Sequence, residues 1–229
     1  MMNGFAIFPD VFGAPELDSI SHELAVAPLK RSRAGIRHLL SVPAIATLAR
    51  DSRLLELASA ALGCEPVPFG ATLFDKSAEA NWLVVWHQDT ALPLLERREV
   101  PGWGPWSEKS GIVYAHAPAA ALEQVVALRV HLDDSAPDNG PLRVLPGTHE
   151  MGVLNDEQIH ALSQRLEPVA CTLARGGVLA MRPLLVHAST KVVTVAPRRV
   201  IHFEYAASAV LAHGLHLRVP AIASPHRAG

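Results

Sequence analysis

The segment VVALRVHLDDSAPDNGPLRVLPG, residues 125–147, contains two apolar runs that are each too short for an ordinary helix. The first run spans residues 125–132 and the second spans residues 143–145. Turn-forming residues follow both runs, Pro137-Asp138-Asn139-Gly140 after the first and Pro146-Gly147 after the second. Short apolar runs that alternate with such turns are typical of the strands of a β-sandwich or barrel.

The same alternation of short runs and turns extends from about residue 66 to about residue 210. Candidate strands lie at 67–74, 83–86, 125–132, 143–145, 169–173, 177–181, 184–187 and 199–205. Before residue 66 the pattern is helical, because residues 15–27 and 41–62 carry apolar residues at helical spacing, with Gly63 as a cap after the second. We therefore predict a mainly β protein with flanking N-terminal helices. One domain is expected over residues 1–229, with a helical part at about 1–65 and a β core at about 66–210.

The bulk composition excludes several classes of protein. The 229 residues are 49% hydrophobic and 18% charged, and the formal net charge is -2 without any long basic run, so nucleic acid is not an expected partner. No segment approaches the roughly 18 consecutive apolar residues of a membrane span, and neither a membrane segment nor a secretory signal is expected. Cys64 and Cys171 lie in unrelated contexts, which favours a reducing cytoplasm.

The sharpest local feature is the sequence Trp86-His87-Gln88-Asp89-Thr90. In an extended chain, residues two apart point to the same face, so His87 and Asp89 could present an imidazole and a carboxylate to one ion. His187 ends a second apolar run and supplies a further imidazole. Two imidazoles and a carboxylate are the facial triad of non-haem Fe(II) sites, although a hydrolytic zinc site uses the same ligand types. A surface histidine beside a solvated aspartate, and a core histidine at residue 187, are the alternatives.

An arginine pair follows the second histidine. Arg198 lies 11 residues after His187, at the start of the apolar run that leads to Tyr205. If the chain returns as a hairpin, Arg198 enters the same site, where a guanidinium can bind a carboxylate through two parallel hydrogen bonds. The alternative is that Arg198 and Arg199 form a solvated pair at a sheet edge.

Residues 92–118 are rich in proline and are expected to form a long irregular loop, a lid or binding loop above the site. Within it, Gly102-Trp103-Gly104-Pro105-Trp106 offers two large aromatic rings. These rings suit an apolar or aromatic small-molecule substrate held under the loop. The equally weighted alternative is that both tryptophans pack the loop onto the core.

Taken together, the chain resembles the phytanoyl-CoA dioxygenase family of Fe(II)- and 2-oxoglutarate-dependent oxygenases. Four segments carry the resemblance, in the family's order: Leu73-Phe74-Asp75-Lys76, Trp86-His87-Gln88-Asp89, the turn from Asp138 to His149, and His187-Ala188-Ser189 with Arg198. The resemblance implies a double-stranded β-helix, which is a cupin-like jelly roll. It also implies Fe(II), 2-oxoglutarate and dioxygen as cofactor and cosubstrates.

The resemblance implies roles for individual residues. His87, Asp89 and His187 would be the catalytic iron ligands. Arg198 and Ser189 would bind the distal carboxylate of 2-oxoglutarate.

Three further cosubstrate contacts are expected. Thr72 occupies the position of a family contact on an early strand, and Gln88 lies inside the ligand motif, although strand alternation would turn its side chain away from the ion. Arg129 stands where many family members carry a tryptophan. It shares a strand face with His131, so either both residues face the site or neither does.

The reaction that the resemblance implies is hydroxylation of a small organic molecule, with release of succinate and carbon dioxide. Related halogenases lack the carboxylate ligand, so Asp89 favours hydroxylation. Residues 92–118 carry no marked basic cluster that would bind a coenzyme A phosphate. Two alternatives stay open: a redox-inactive, cupin-type metal enzyme that catalyses hydrolysis or isomerisation, and a non-catalytic metal- or ligand-binding module.

Overall fold

Most helical residues precede residue 66 and most strands follow it, as the sequence predicts. The computed structural model describes residues 1–29, 35–76, 81–192 and 196–220. The helices are α1 (Ala14–Val26), α2 (Pro43–Leu48), α3 (Ser52–Leu62), α4 (Ala119–Leu122) and α5 (Asp156–Arg165). The strands are β1 (Phe5–Phe8), β2 (Val67–Lys76), β3 (Val84–His87), β4 (Ala91–Leu94), β5 (Trp106–Lys109), β6 (Ile112–His116), β7 (Val125–His131), β8 (Leu142–Val144), β9 (Val169–Cys171), β10 (Val178–Met181), β11 (His187–Ser189) and β12 (Arg198–Ala206). Within the described ranges, none of these helices has the length and apolarity to cross a membrane.

Two antiparallel sheets form the core of the fold. The larger has the strand order β1-β10-β7-β12-β2, and the smaller has the order β3-β11-β8-β9. Side chains from both sheets share one buried cluster, in which Ala127 and Leu179 of the larger sheet meet Val144 and Cys171 of the smaller. The prediction of a mainly β jelly roll with N-terminal helices is confirmed.

The larger sheet is buried on both faces. In β7 every residue is buried, and the alternate residues Val126, Leu128 and Val130 pack into the same cluster as α1 to α3. Because side chains alternate along a strand, Arg129 and His131 point to the opposite face, toward the smaller sheet. The helices therefore cover the outside of the sheet, while the inside lines a cavity between the two sheets.

The helix predicted over residues 41–62 is interrupted. α2 ends at Leu48 and α3 begins at Ser52, since the Asp51 side chain accepts a hydrogen bond from the backbone N–H of Arg53 and caps a new helix. The strand predicted at 184–187 is also wrong in its bounds. Residues 184–186 form a buried turn, and the strand begins only at His187, so their apolar character reflects burial rather than pairing.

Residues 92–118 are not the irregular loop that their prolines indicate. They supply a third antiparallel sheet of order β4-β6-β5. Trp103 is 7% exposed and packs with Leu92 and Leu94 in a buried cluster of their own, against which Trp106 also packs. The structure therefore favours the packing role for both tryptophans. The prolines do not prevent residues 92–118 from forming a sheet, because a proline is tolerated at a sheet edge.

A buried hydrogen bond fastens the helical layer to the sheet. The Tyr205 hydroxyl, on a fully buried side chain of β12, donates to the Ala49 carbonyl oxygen at 2.9 Å. We expect Tyr205→Phe to lower the free energy of unfolding by about 1–3 kcal/mol, because it leaves a buried acceptor unpaired. Urea unfolding of the metal-free protein measures this loss. Tyr114→Phe is the matched control, and an equal loss in both variants would contradict the assignment.

Candidate metal centre

Two paired strands bring the predicted metal ligands together. His87 ends β3, His187 begins β11, and the two residues are register partners. The Nε2 atoms of His87 and His187 lie 3.6 and 3.5 Å from the two carboxylate oxygens of Asp89. One donor atom from each residue lies within 4.8 Å of the other two. An ion roughly 2.0–2.2 Å from each ligand can contact all three at this spacing.

Both imidazoles are oriented by the backbone. His87 Nδ1 lies 2.8 Å from the Val85 carbonyl oxygen, and His187 Nδ1 lies 2.8 Å from the Leu185 carbonyl oxygen. A carbonyl oxygen can only accept, so each Nδ1 carries the proton and each Nε2 keeps a free lone pair. This arrangement of a metal-binding histidine, with its second nitrogen bonded to a carbonyl, fixes both ring orientation and tautomer.

The ionisation states also suit metal binding. Burial, partly opposed by the Asp89 charge, lowers the pKa of His187 to about 4, so this imidazole is neutral at neutral pH. Burial disfavours the Asp89 charge, but the electrostatic effects of the neighbouring His187 and His87 outweigh it and hold the pKa of Asp89 well below its usual range. The centre thus offers neutral imidazole and ionised carboxylate together, which is the donor set of a facial triad.

The three residues open onto a cavity of about 70 Å³ between the sheets, which we call the metal-side cavity. Three cations line the same cavity, and we call Lys76, Arg129 and Arg198 the cation cluster. They are 1%, 6% and 2% exposed. In the part of the chain that the structure describes, no acidic side chain forms an ion pair with any of them. Buried charges without counter-ions are costly, so the cluster indicates a site for an anion.

Burial and mutual repulsion disfavour the positive charges of the cation cluster. Burial, followed by repulsion from Arg198 and Arg129, lowers the pKa of Lys76 to about 7. Burial and the Arg129 charge lower the pKa of Arg198 to about 9. An anion bound among these groups would relieve both the repulsion and the loss of hydration.

Polar contacts hold the cluster in place. Lys76 Nζ donates to Ser189 Oγ and to the Thr190 carbonyl oxygen, both at 2.7 Å. Arg198 Nε donates to the Asn139 carbonyl oxygen at 3.3 Å, so the turn at residues 137–140 helps to position the guanidinium. Lys76 was not among the predicted site residues. Strand alternation could have indicated it, because Lys76 lies on the same face of β2 as Phe74, and Phe74 also lines the cavity.

Of the expected cosubstrate contacts, Arg198, Ser189 and Arg129 line the metal-side cavity. Thr72 lies on the inner face of β2 but lines a neighbouring cavity. Gln88 is turned away, as alternation requires, and is not brought to the cavity. Its amide donates to two backbone carbonyls, those of Gly152 and Leu184, and accepts from the backbone N–H of Leu154, so it anchors a loop.

Arg129 and His131 both point inward, toward the smaller sheet, as expected for two residues on one face of a strand. Arg129 Nη1 lies 3.1 Å from His202 Nδ1, and its guanidinium lies 5.1 Å from the centre of the Phe74 ring. Among the described residues, the buried Nε of Arg129 has no hydrogen-bond partner. The guanidinium therefore keeps a free donor beside the candidate metal ligands.

The buried His131 gives a prediction about pH. Burial, with the charges of Arg129 and Arg198, lowers the pKa of His131 to about 3 from an ordinary value of 6.5. Between these values the unfolded chain binds a proton that the folded chain does not, so stability falls as pH falls. We expect His131→Asn to weaken this dependence between pH 6.5 and 4.5 by up to about 1.4 kcal/mol per pH unit. Urea unfolding at several pH values tests it, with the exposed His160→Asn as control; equal slopes in all three proteins would contradict it.

The family model described as phytanoyl-CoA dioxygenase (PhyH) matches residues 2–200. No curated protein matches the chain. Similar solved structures include HygX from Streptomyces hygroscopicus with nickel and 2-oxoglutarate bound, at 20% identity and a TM-score of 0.65, covering 90% of this chain and 83% of that one.

Two other solved structures have the same fold. EctD from S. alaskensis with 2-oxoglutarate and 5-hydroxyectoine is 23% identical, with a TM-score of 0.68, and the match covers 90% of this chain and 73% of that one. AviO1 from Streptomyces viridochromogenes Tue57 is 23% identical, with a TM-score of 0.64 and 90% coverage of both chains. With the family model matched over most of its length, the chain belongs to the phytanoyl-CoA dioxygenase family of Fe(II)- and 2-oxoglutarate-dependent oxygenases.

Proposed function

We propose that the protein hydroxylates a small organic molecule at an Fe(II) ion bound by His87, Asp89 and His187. One observation carries the proposal: the three donor groups and the cation cluster open onto the same buried cavity. A metal triad alone would suit several chemistries. A triad beside unneutralised cations suits a metal together with an anionic cosubstrate.

The cation cluster and Ser189 account for binding of 2-oxoglutarate, which carries two carboxylates. Arg198 presents a planar guanidinium that can bind the distal carboxylate through two hydrogen bonds. Lys76 and Ser189, already bonded to each other, add a charge and a hydroxyl on the same side. We propose that the free Nε of Arg129 contributes a further donor to the cosubstrate.

The proposed reaction inserts one oxygen atom of dioxygen into a substrate C–H bond as a hydroxyl. The other oxygen atom enters 2-oxoglutarate, which loses carbon dioxide and becomes succinate. Fe(II) and 2-oxoglutarate, when bound, supply the oxidising chemistry, and the protein supplies orientation and exclusion of water. Asp89 supports hydroxylation over halogenation, because its carboxylate takes the position that a halide would need.

A small-molecule substrate is proposed for the space beneath the β4-β6-β5 sheet. Among the similar structures, EctD is bound to 5-hydroxyectoine and HygX to hygromycin B. Pro93, Ile112 and Tyr114 of that sheet line a cavity next to the metal-side cavity. Trp103 and Trp106 do not line it, so an aromatic substrate gains no support from these two rings.

The proposed function is tested by cosubstrate turnover. Metal-free protein is reconstituted anaerobically with Fe(II), and 2-oxoglutarate binding is followed by calorimetry. On admission of dioxygen, we expect succinate formation that requires both iron and 2-oxoglutarate, and that rises when a substrate from a metabolite library is present. Mass spectrometry of that substrate should show a gain of one oxygen atom.

The alternatives predict different results. Activity with zinc in the absence of dioxygen would select a redox-inactive hydrolase or isomerase. Tight binding of metal and 2-oxoglutarate without any succinate would select a non-catalytic binding module.

We further propose that residues 1–229 form one oxygenase domain, since helix and sheet residues share one buried cluster. The two cysteines are free, with Cys64 exposed and Cys171 buried. Free exposed thiols suit the reducing cytoplasm that we propose as the protein's location.

A further inference from the structure

A second cavity, of about 250 Å³, is lined by other residues of the same strands β2 and β12 and has a different charge pattern. Gly70 and Thr72 of β2 and Glu204 of β12 line its sheet side, and Tyr114 of β6 covers it. Arg37 and Arg218 also line it, and both are exposed. Its volume lies below the roughly 300–1,000 Å³ of drug-sized sites, so it suits a small ligand.

The register of two paired strands places this second cavity beside the metal ligands. In β12 and β2, Glu204 pairs with Gly70 and His202 pairs with Thr72. Glu204 and His202 share the inner face of β12 and are separated by about 7 Å along the strand. The negative charge of Asp89 acts on both of them. A molecule that contacts Glu204 therefore lies about 7 Å along β12 from His202 and within electrostatic reach of the candidate ligand Asp89.

Glu204 carries a carboxylate that forms no ion pair with the residues that the structure describes, although the charge of Arg37 acts on it. Within the described ranges, no hydrogen bond or ion pair involves its side chain. Burial, with the Asp89 charge, raises the pKa of Glu204 to about 8. An acidic group in such surroundings is satisfied by a ligand that brings a positive charge or several N–H donors.

The residue opposite Glu204 leaves space for its carboxylate. A Cβ atom built on Gly70 would lie 2.3 Å from Glu204 Oε2, so any larger residue there would displace the carboxylate. Gly70 has no left-handed backbone conformation that would explain a glycine. A glycine at residue 70 therefore leaves the space that the Glu204 carboxylate occupies.

The charged side chains at the mouth of the second cavity are positive, opposite in sign to Glu204. Arg37 and Arg218 both act electrostatically on Tyr114, which also feels the Glu204 charge. The second cavity thus presents one acidic group within and two guanidinium groups at its entrance. A ligand with a positive end and a negative end matches this order of charges.

We propose that the second cavity is the substrate site and that it selects a zwitterionic small molecule. The cationic nitrogen of this molecule pairs with Glu204, and its anionic group reaches Arg37 and Arg218. This inference rests on the proposed function, because a substrate so placed is oxidised only if the neighbouring centre holds iron and 2-oxoglutarate. Binding itself depends on the chain's own charges.

The test measures binding of a charge-matched panel by calorimetry, with the protein loaded anaerobically with Fe(II) and 2-oxoglutarate. The probes are free α-, β- and γ-amino acids, their N-acetyl derivatives, which are only anionic, and their primary amides, which are only cationic. We expect at least one zwitterion to bind at least about tenfold more tightly than either of its single-charge derivatives. If no zwitterion binds, or if none is preferred over its derivatives, the inference is overturned.

Variants assign the preference to the named groups. Glu204→Gln keeps the shape of the side chain and should weaken the preferred zwitterion at least about tenfold, while leaving its N-acetyl derivative unchanged. Gly70→Ala should have a similar effect by moving the carboxylate, and Arg37→Ala with Arg218→Ala should weaken binding of the anionic end. The exposed Glu108→Gln is the control. Unchanged zwitterion affinity in Glu204→Gln protein would refute the role of Glu204.

Failure of this inference is distinguishable from failure of the proposed function. If the function is wrong, wild-type protein forms no succinate, with or without binding of iron and 2-oxoglutarate. If only the inference is wrong, succinate is formed and the charge preference is absent. The Glu204→Gln variant should also retain wild-type 2-oxoglutarate affinity, because the cosubstrate lies among the cation cluster.

Discussion

Asp89→Asn protein is expected to lose iron affinity by at least about 100-fold and to form no measurable succinate. The substitution keeps the size of the side chain but removes the only negative charge among the three candidate ligands. Loss of an outer partner alone costs metal sites about 10–100-fold, so loss of a direct anionic ligand should cost more. Iron content after desalting and the initial rate of succinate formation measure the two effects.

The matched control for this change is Asp133→Asn. Asp133 also carries a carboxylate in a charged environment, but it pairs with Arg199 at 2.7 Å, outside the metal-side cavity. This variant should bind iron as the wild type does. Retention of iron and turnover by Asp89→Asn protein would show that Asp89 is not an iron ligand.

Arg198→Ala is expected to raise the dissociation constant of 2-oxoglutarate at least about 30-fold, which corresponds to ~2 kcal/mol. Arg198 is 2% exposed, so a ligand carboxylate that it pairs with is shielded from water. Removing the guanidinium leaves that carboxylate buried without its partner, which is the costly case. Calorimetric titration of the iron-loaded, oxygen-free protein measures the change, and iron affinity should be unaffected.

The neighbouring arginine provides the control. Arg199 points away from the cavity and forms an ion pair with Asp133, partly exposed to solvent. Arg199→Ala should leave 2-oxoglutarate affinity unchanged and cost at most about 1 kcal/mol of stability. Equal losses of cosubstrate affinity in the two variants would show that general positive charge, and not placement in the cavity, governs binding.

Part of the metal centre could be predicted because it is local in the sequence. His87 and Asp89 share a face through strand alternation alone, and the same alternation turns Gln88 away. Residues 137–140 and 146–147 indicate their turns through residue types that favour turn backbone. The position of His187 beside His87 depends on the pairing of β11 with β3, which local sequence patterns do not specify.

Other features depended on contacts between distant parts of the chain. β7 is buried over its whole length, so its pattern could not indicate which face meets the helices and which lines the cavity. Lys76 was not predicted to lie in the site, because a lysine in a strand usually faces solvent. The β4-β6-β5 sheet was missed because its prolines lie at positions where pairing does not need their N–H groups.

The sequence by itself determined the fold class, the division into helices and strands near residue 66, and the set of metal-binding residue types. These depend on short-range periodicity and on turn chemistry, which each segment carries alone. Only the tertiary structure decided that Arg129 points inward, that Lys76 joins Arg198 beside Ser189, and that Glu204 faces Gly70. Those arrangements depend on strand register and sheet packing, because the same alternating pattern is compatible with either face of a strand that is buried on both sides.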